Sequence, residues 1–112
     1  MYNQSCFDIL ILKKGSGLMK ISKDNLIFNM DKDNKAVVKV NSCEEIIFET
    51  CDCFSDTIKT EKDTMSSIDF SKINPATGPV YINEAKVGDI LKVDILKINI
   101  ANQGVMMAAP GL

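Results

Sequence analysis

The sequence predicts a mainly β domain whose neighbouring strands pair antiparallel. Three observations predict it. From Leu26 onward apolar side chains recur at every second position, the runs are short, and polar, turn-forming residues separate them. A chain of 112 residues, 46% hydrophobic and 25% charged, makes one ordinary globular domain. At that length folding buries about two thirds of the surface of the unfolded chain, so a core needs neither disulfides nor a structural metal.

The elements follow in order. Leu26, Phe28 and Met30 alternate with Ile27 and Asn29, Ala36, Val38 and Val40 with Val37 and Lys39, and Ile46, Phe48 and Thr50 with Glu45, Ile47 and Glu49. The connectors Asp31-Lys32-Asp33-Asn34-Lys35 and Asn41-Ser42 tolerate turn geometry, so these read as three consecutive antiparallel strands. Residues 53–73 are polar and lose the alternation, which suits a long excursion or a short helical turn. Such an excursion reads either as a solvated connector or as a contact for substrate or a subunit. Asn74-Pro75-Ala76-Thr77-Gly78-Pro79 forbids helix and fixes a turn. Residues 80–82 follow as a brief strand, and residues 83–89 turn the chain with Gly88 free to take a positive φ. Residues 90–100 read as the longest strand. Leu91, Val93 and Ile95 share one face, after which Leu96, Ile98 and Ile100 carry the apolar phase. A β-bulge near Ile95-Leu96 would repair that one-residue slip.

Composition closes several routes to function. All 13 basic residues are Lys, and there is no His, Arg or Trp. Without His, no Ser-His or Cys-His pair and no His-ligated zinc site can be assembled from this chain. Without Arg, and with a net charge of -2, nucleic-acid binding is not expected. Cys6, Cys43, Cys51 and Cys53 contain no C-x-x-C, so reduced, packed thiols are the expectation. The apolar run at residues 9–12 is too short for a signal sequence, and no apolar stretch of 18 residues exists. A cytoplasmic protein with no membrane partner follows as the expectation.

Asp24-Asn25-Leu26-Ile27-Phe28, Ile47-Phe48-Glu49-Thr50-Cys51-Asp52-Cys53-Phe54, Asn74-Pro75-Ala76-Thr77-Gly78-Pro79-Val80-Tyr81-Ile82 and Ala85-Lys86-Val87-Gly88-Asp89-Ile90-Leu91 stand in a characteristic order. In order and spacing they resemble the N-terminal part of the acetamidase/formamidase family, from about Met19 to Leu112. The resemblance implies an antiparallel β-sandwich of jelly-roll type that is part of a larger fold. It also implies hydrolysis of short linear amides such as formamide and acetamide to ammonia and a carboxylate. Residues 1–18 have no counterpart in that pattern, and Lys13-Lys14-Gly15 would be encoded by a purine run of the kind that binds ribosomes, so Met19 is the expected natural start. Family members continue past a segment like Pro110-Gly111-Leu112. The apolar stretch 104–111 is likewise expected to pack against further chain, either a missing C-terminal part or another copy in a homo-oligomer.

Amide hydrolysis requires an activated water or nucleophile, a group that polarises the carbonyl and a proton donor for the leaving amine. Carboxylates, Lys, Ser and Cys are what this chain offers. Glu49 and Asp52, three apart at a strand end, are candidate ligands for a divalent metal ion, and Asp52 is also a candidate catalytic residue. Against these stand two plainer readings, Glu49 as a surface strand residue and Asp52 as a turn-capping carboxylate. Thr77 and Gly78 either present backbone N-H groups to a substrate carbonyl or form a structural corner. Asp31 and Asp33 lack the glycine and glutamate of a calcium loop and read as a solvated turn. Ser66, Ser67 and Lys72 lack the glycine-rich surround of a Ser-Ser-Lys amidase. Besides the amidase, two other readings are open: a catalytically inactive truncated β-sandwich serving as a binding or association module, and a metal- or small-ligand-binding β domain.

Overall fold

A computed structural model describes residues 5–10 and 18–108. Lys13-Lys14-Gly15 and Pro110-Gly111-Leu112, on which two of the sequence expectations rest, lie outside the described residues. The described residues are mainly β: β1 (Ser5–Leu10), β2 (Met19–Ile21), β3 (Leu26–Ile27), β4 (Val38–Val40), β5 (Ile46–Phe48), β6 (Ala76–Thr77), β7 (Val80–Ile82) and β8 (Lys97–Gly104). Two single 3-10 turns, Met65–Ser67 and Phe70–Lys72, interrupt the polar excursion as expected. No described helix is long and apolar enough to cross a membrane.

The pairing is mixed. One sheet has the order β2-β5-β1-β8, in which β1 runs antiparallel to β5 and β8 while β2 runs parallel to β5. The other two sheets are pairs, β3 with β6 antiparallel and β4 with β7 parallel. The expected run of three consecutive antiparallel strands is therefore corrected: β3, β4 and β5 each pair outside the run. Period-two alternation fixes which face of a strand is apolar, but not which strand lies beside it. The connector closes on itself, with Asp31 Oδ1 accepting the Asp33 N-H at 2.8 Å and Asn34 Nδ2 donating to the Asn29 carbonyl at 2.8 Å. The Val37 N-H then donates to the Pro79 carbonyl at 2.9 Å and draws β4 onto β7.

The second correction concerns residues 90–100. Only the last four belong to a strand, residues 90–96 to none. The irregularity in the β1–β8 ladder falls between the Ser5–Gly104 and Phe7–Ile100 pairs, not at Ile95-Leu96. Residues 90–96 are exposed, and among the described residues no strand pairs with them to define a register. By contrast, residues 80–82 form the expected strand, and Gly88 has φ +97° in the expected turn.

Two small cores hold these pieces. Ile21, Val40 and Ile46 are buried, with Val38, Phe48, Val80 and Ile82 packed on them, so the β2–β5 part of the large sheet lies against the β4–β7 pair. Under the excursion Ile58, Ile68 and Val105 form a second cluster, backed by Phe54, Ile73 and Met107. The Cα radius of gyration is 16.3 Å, against roughly 13 Å for a compact domain near this size.

Candidate active site

The site is built where β2, the end of β5 and β6 meet. Glu49 follows β5, and its N-H donates to the Ile21 carbonyl at 3.0 Å, which extends the parallel β2–β5 pairing by one bond. Its carboxylate pairs with Lys20 Nζ at 2.5 Å across the two strands. Beyond Glu49 the chain leaves the sheet and turns sharply, with Ser55 and Asp56 at φ +56° and +55°.

Asp52 organises that turn. It is the buried acidic residue among those described, and its Oδ1 accepts the N-H groups of Phe54 (2.8 Å) and Asp56 (2.9 Å). Asp56 answers through Oδ1, which accepts the Asp52 N-H at 2.9 Å, while its Oδ2 meets Lys23 Nζ at 2.5 Å. A buried carboxylate without such partners would carry a large desolvation cost; here backbone N-H groups satisfy it in the manner of a capped helix end. The turn-capping role foreseen for Asp52 is thus present, together with a partner, Asp56, that ties it to Lys23 just after β2.

The same turn closes the excursion. Asn74 N-H donates to the Cys53 carbonyl at 2.7 Å and Ser55 Oγ to the Lys72 carbonyl at 2.5 Å, so the two ends of residues 53–74 meet beside Asp52. Thr77 Oγ1 donates to the Glu49 carbonyl at 2.6 Å. The Gly78 N-H donates to the Asn25 carbonyl at 3.0 Å, an arrangement in which it does not face a substrate carbonyl. Thr77 and Gly78 therefore fasten β6 to both sides of the site.

The comparisons with known proteins bear on this geometry. Residues 19–107 match the model of the Acetamidase/Formamidase family. The chain belongs to the acetamidase/formamidase family. A crystal structure of acetamidase from Bacillus halodurans is 50% identical with a TM-score of 0.81, over 84% of this chain and 32% of that one. A predicted acetamidase/formamidase from Thermoanaerobacter tengcongensis is 40% identical with a TM-score of 0.57, over 62% of this chain and 24% of that one. The chain thus spans about a third or less of the length of these solved relatives. No curated protein matches it.

In this member of the acetamidase/formamidase family, Cys51 and Cys53 flank Asp52 as free, half-buried thiols. Burial pushes the Cys51 thiol above its ordinary pKa, with the Asp56 carboxylate adding to it; burial and then Asp52 do the same to Cys53. Both stay protonated at neutral pH, which makes them packing groups rather than nucleophiles. Among the described residues no three His, Cys, Asp or Glu side chains gather as a metal group. Glu49 and Asp52, engaged with Lys20 and with backbone N-H groups, do not by themselves fit a divalent ion. Asp31 and Asp33 form the expected solvated turn, and Ser67 Oγ donates to the Thr64 carbonyl within its own 3-10 turn.

Lys20, Lys23 and Asp56 are the members of the site that sequence reasoning missed. Asp56 had a signal, since it is a second carboxylate four residues after Asp52 at the spacing of a capped turn. Lys23 had none, because its partner lies thirty-three residues away. Apart from this site, a cavity of about 560 Å³ opens between residues 58–63 and 103–108, bridged by Gln103 Nε2 donating to the Lys59 carbonyl at 3.1 Å.

Proposed function

We propose that the chain is the N-terminal part of an amide hydrolase that converts short linear amides, formamide and acetamide among them, to ammonia and a carboxylate. The observation that carries this reading is the buried Asp52 carboxylate, held through Oδ1 by two backbone N-H groups at the point where the strand leaves the sheet. Its second oxygen, Oδ2, serves as the base that takes a proton from the attacking water and returns it to the leaving amine. A base fixed by backbone donors loses little orientation entropy on reaction, which favours this position over a mobile surface carboxylate. Glu49 stands three residues before Asp52, with Lys20 holding its carboxylate. Thr77 and Gly78 act as positioning residues, since both fasten the Pro-Gly corner against Glu49 and Asn25.

The finer fold belongs to the same proposal. A jelly-roll sandwich is supported by the core in which β2 and β5 face β4 and β7, with further strands needed to complete both layers. Three free thiols, Cys43, Cys51 and Cys53, support a reducing, cytoplasmic setting. One observation favours the second reading, a catalytically inactive binding or association module: residues 87–100 leave a long apolar strip uncovered. Ammonia release from acetamide separates the two. The first reading expects none from the 112-residue chain alone and turnover once the rest of the family fold is supplied; the second expects none in either case.

A further inference from the structure

Backbone strain in the described residues gathers at one turn. Of the four described non-glycine residues with positive φ, Ser55 (+56°) and Asp56 (+55°) are consecutive, and a third, Asn74 (+53°), donates its N-H to the Cys53 carbonyl at 2.7 Å. Such residues persist only where their surroundings over-determine them, and they cluster where a site must be held in one arrangement. The determinants here are specific. The Ser55 N-H donates to the Asp52 carbonyl at 3.1 Å and Ser55 Oγ to the Lys72 carbonyl at 2.5 Å, while the Thr57 N-H donates to the Phe54 carbonyl at 3.1 Å. Asp52 and Asp56 exchange bonds: the Asp56 N-H donates to Asp52 Oδ1 at 2.9 Å, and the Asp52 N-H donates to Asp56 Oδ1 at 2.9 Å. Lys23 Nζ meets the other oxygen of Asp56, so that carboxylate is held at both ends.

We propose that Asp56 is a positioning residue for Asp52. By accepting the Asp52 N-H it holds the left-handed turn that brings the Phe54 and Asp56 N-H groups onto Asp52 Oδ1, and so fixes the direction in which Asp52 Oδ2 points. The proposal rests on the amidase reading, in which Oδ2 is the base. Glycine would take the φ of Asp56 without strain. Aspartate carries the strain together with an acceptor, so what position 56 contributes is the carboxylate and not the backbone shape alone. Its side chain is mostly shielded, at 15% exposure, which suits a group that acts on a neighbour and not on a substrate. Orientation matters at such a base because a displacement of about 1 Å costs about 10²-fold in rate.

The test compares Asp56→Gly, which keeps the φ and removes the carboxylate, with Asp56→Asn, which keeps an Oδ1 acceptor and the tolerance of left-handed backbone. Amide hydrogen exchange of the 112-residue chain is read at Phe54 and at position 56, whose N-H groups bond Asp52 Oδ1 and do not touch the deleted carboxylate. In Asp56→Gly both are expected to exchange at least about tenfold faster, with the paired amides of β2 and β5 unchanged. In Asp56→Asn both are expected to stay within about threefold of the parent. In the complete family fold, Asp56→Gly is expected to lower kcat for acetamide about 10²-fold with KM within about threefold, and Asp56→Asn to restore most of kcat. Unchanged exchange at Phe54 and position 56 in Asp56→Gly overturns the proposal. So does an equal rise throughout β2 and β5, which would make Asp56 a general stabiliser, or an Asp56→Asn variant as fast as Asp56→Gly. Parental kcat in Asp56→Gly overturns it as well. A parent that releases no ammonia counts against the amidase reading alone, and the exchange rates then decide whether Asp56 orients Asp52.

Discussion

Lys23 Nζ lies 2.5 Å from Asp56 Oδ2, and the other oxygen of that carboxylate accepts the N-H of Asp52 at 2.9 Å. One ion pair thus couples the segment just after β2 to the turn that holds the candidate base. Lys23 is half exposed while Asp56 is mostly shielded, with side-chain exposures of 46% and 15%, so the two ends of the pair are not equivalent. Asp56→Ala is expected to cost about 1–3 kcal/mol, because it removes the acceptor of the Asp52 N-H. Lys23→Ala is expected to cost under about 1 kcal/mol, since the ion pair is half exposed on the lysine side and the Asp56 carboxylate keeps its bond to the Asp52 N-H. Urea unfolding of the two variants, monitored by circular dichroism, checks the order.

The larger core is the structural anchor of the site. Ile21 lies between the site residues Lys20 and Lys23 and is 3% exposed. Ile21→Ala is expected to lower stability by about 2–5 kcal/mol through lost burial and a residual cavity. Val93→Ala, at an uncovered position, is expected to change stability by less than about 0.5 kcal/mol. A comparison of urea midpoints decides whether the core lies where β2 and β5 face β4 and β7.

Gly78 has φ +130°, a conformation that side chains avoid. A Cβ there would meet the Val80 nitrogen at 3.5 Å, an ordinary contact, so Gly78→Ala is strained by backbone conformation and not by crowding. The expected loss is about 1–3 kcal/mol. The same variant is expected to slow turnover in the assembled enzyme, because the corner holds Asn25 and Glu49 in place.

Acid is expected to destabilise the excursion. Backbone N-H groups of Thr60 and Lys59 lower the pKa of Asp63, and the Ser71 hydroxyl and N-H lower that of Asp69. A carboxylate with a depressed folded pKa contributes stability above its unfolded value, and loses that contribution as pH falls through the folded one. Melting temperature is therefore expected to be level at neutral pH and to drop below about pH 4. The double variant D63N/D69N is expected to flatten that drop; an unchanged profile would place the acid sensitivity elsewhere.

Much of the chain was legible from local rules. The strands at residues 38–40, 46–48 and 80–82, the polar excursion and the Pro-Gly corner each follow from alternation or turn chemistry, which act over a few residues. Pairing was not legible, because the Val37–Pro79 bond and the β2–β5 pairing join residues distant in sequence that no local pattern ties together. The strip at residues 90–96 misled for a related reason. Its alternation correctly marks one apolar face, but strand geometry requires a neighbour, and the described residues provide none. At the site, Asp52 was found through motif position, whereas its tether to Lys23 through Asp56 became visible only once β2 lay beside the turn.

The role of Asp52 is tested most directly by ammonia release from acetamide by the 112-residue chain assembled with the remaining part of the family fold, comparing the parent with Asp52→Asn. Asparagine keeps an oxygen to accept the Phe54 and Asp56 N-H groups, so folding and assembly are expected to persist while kcat falls about 10²–10⁴-fold. An Asp52→Asn complex that turns over acetamide at the parental rate, or a parental complex that releases no ammonia at all, would contradict the role assigned to this carboxylate.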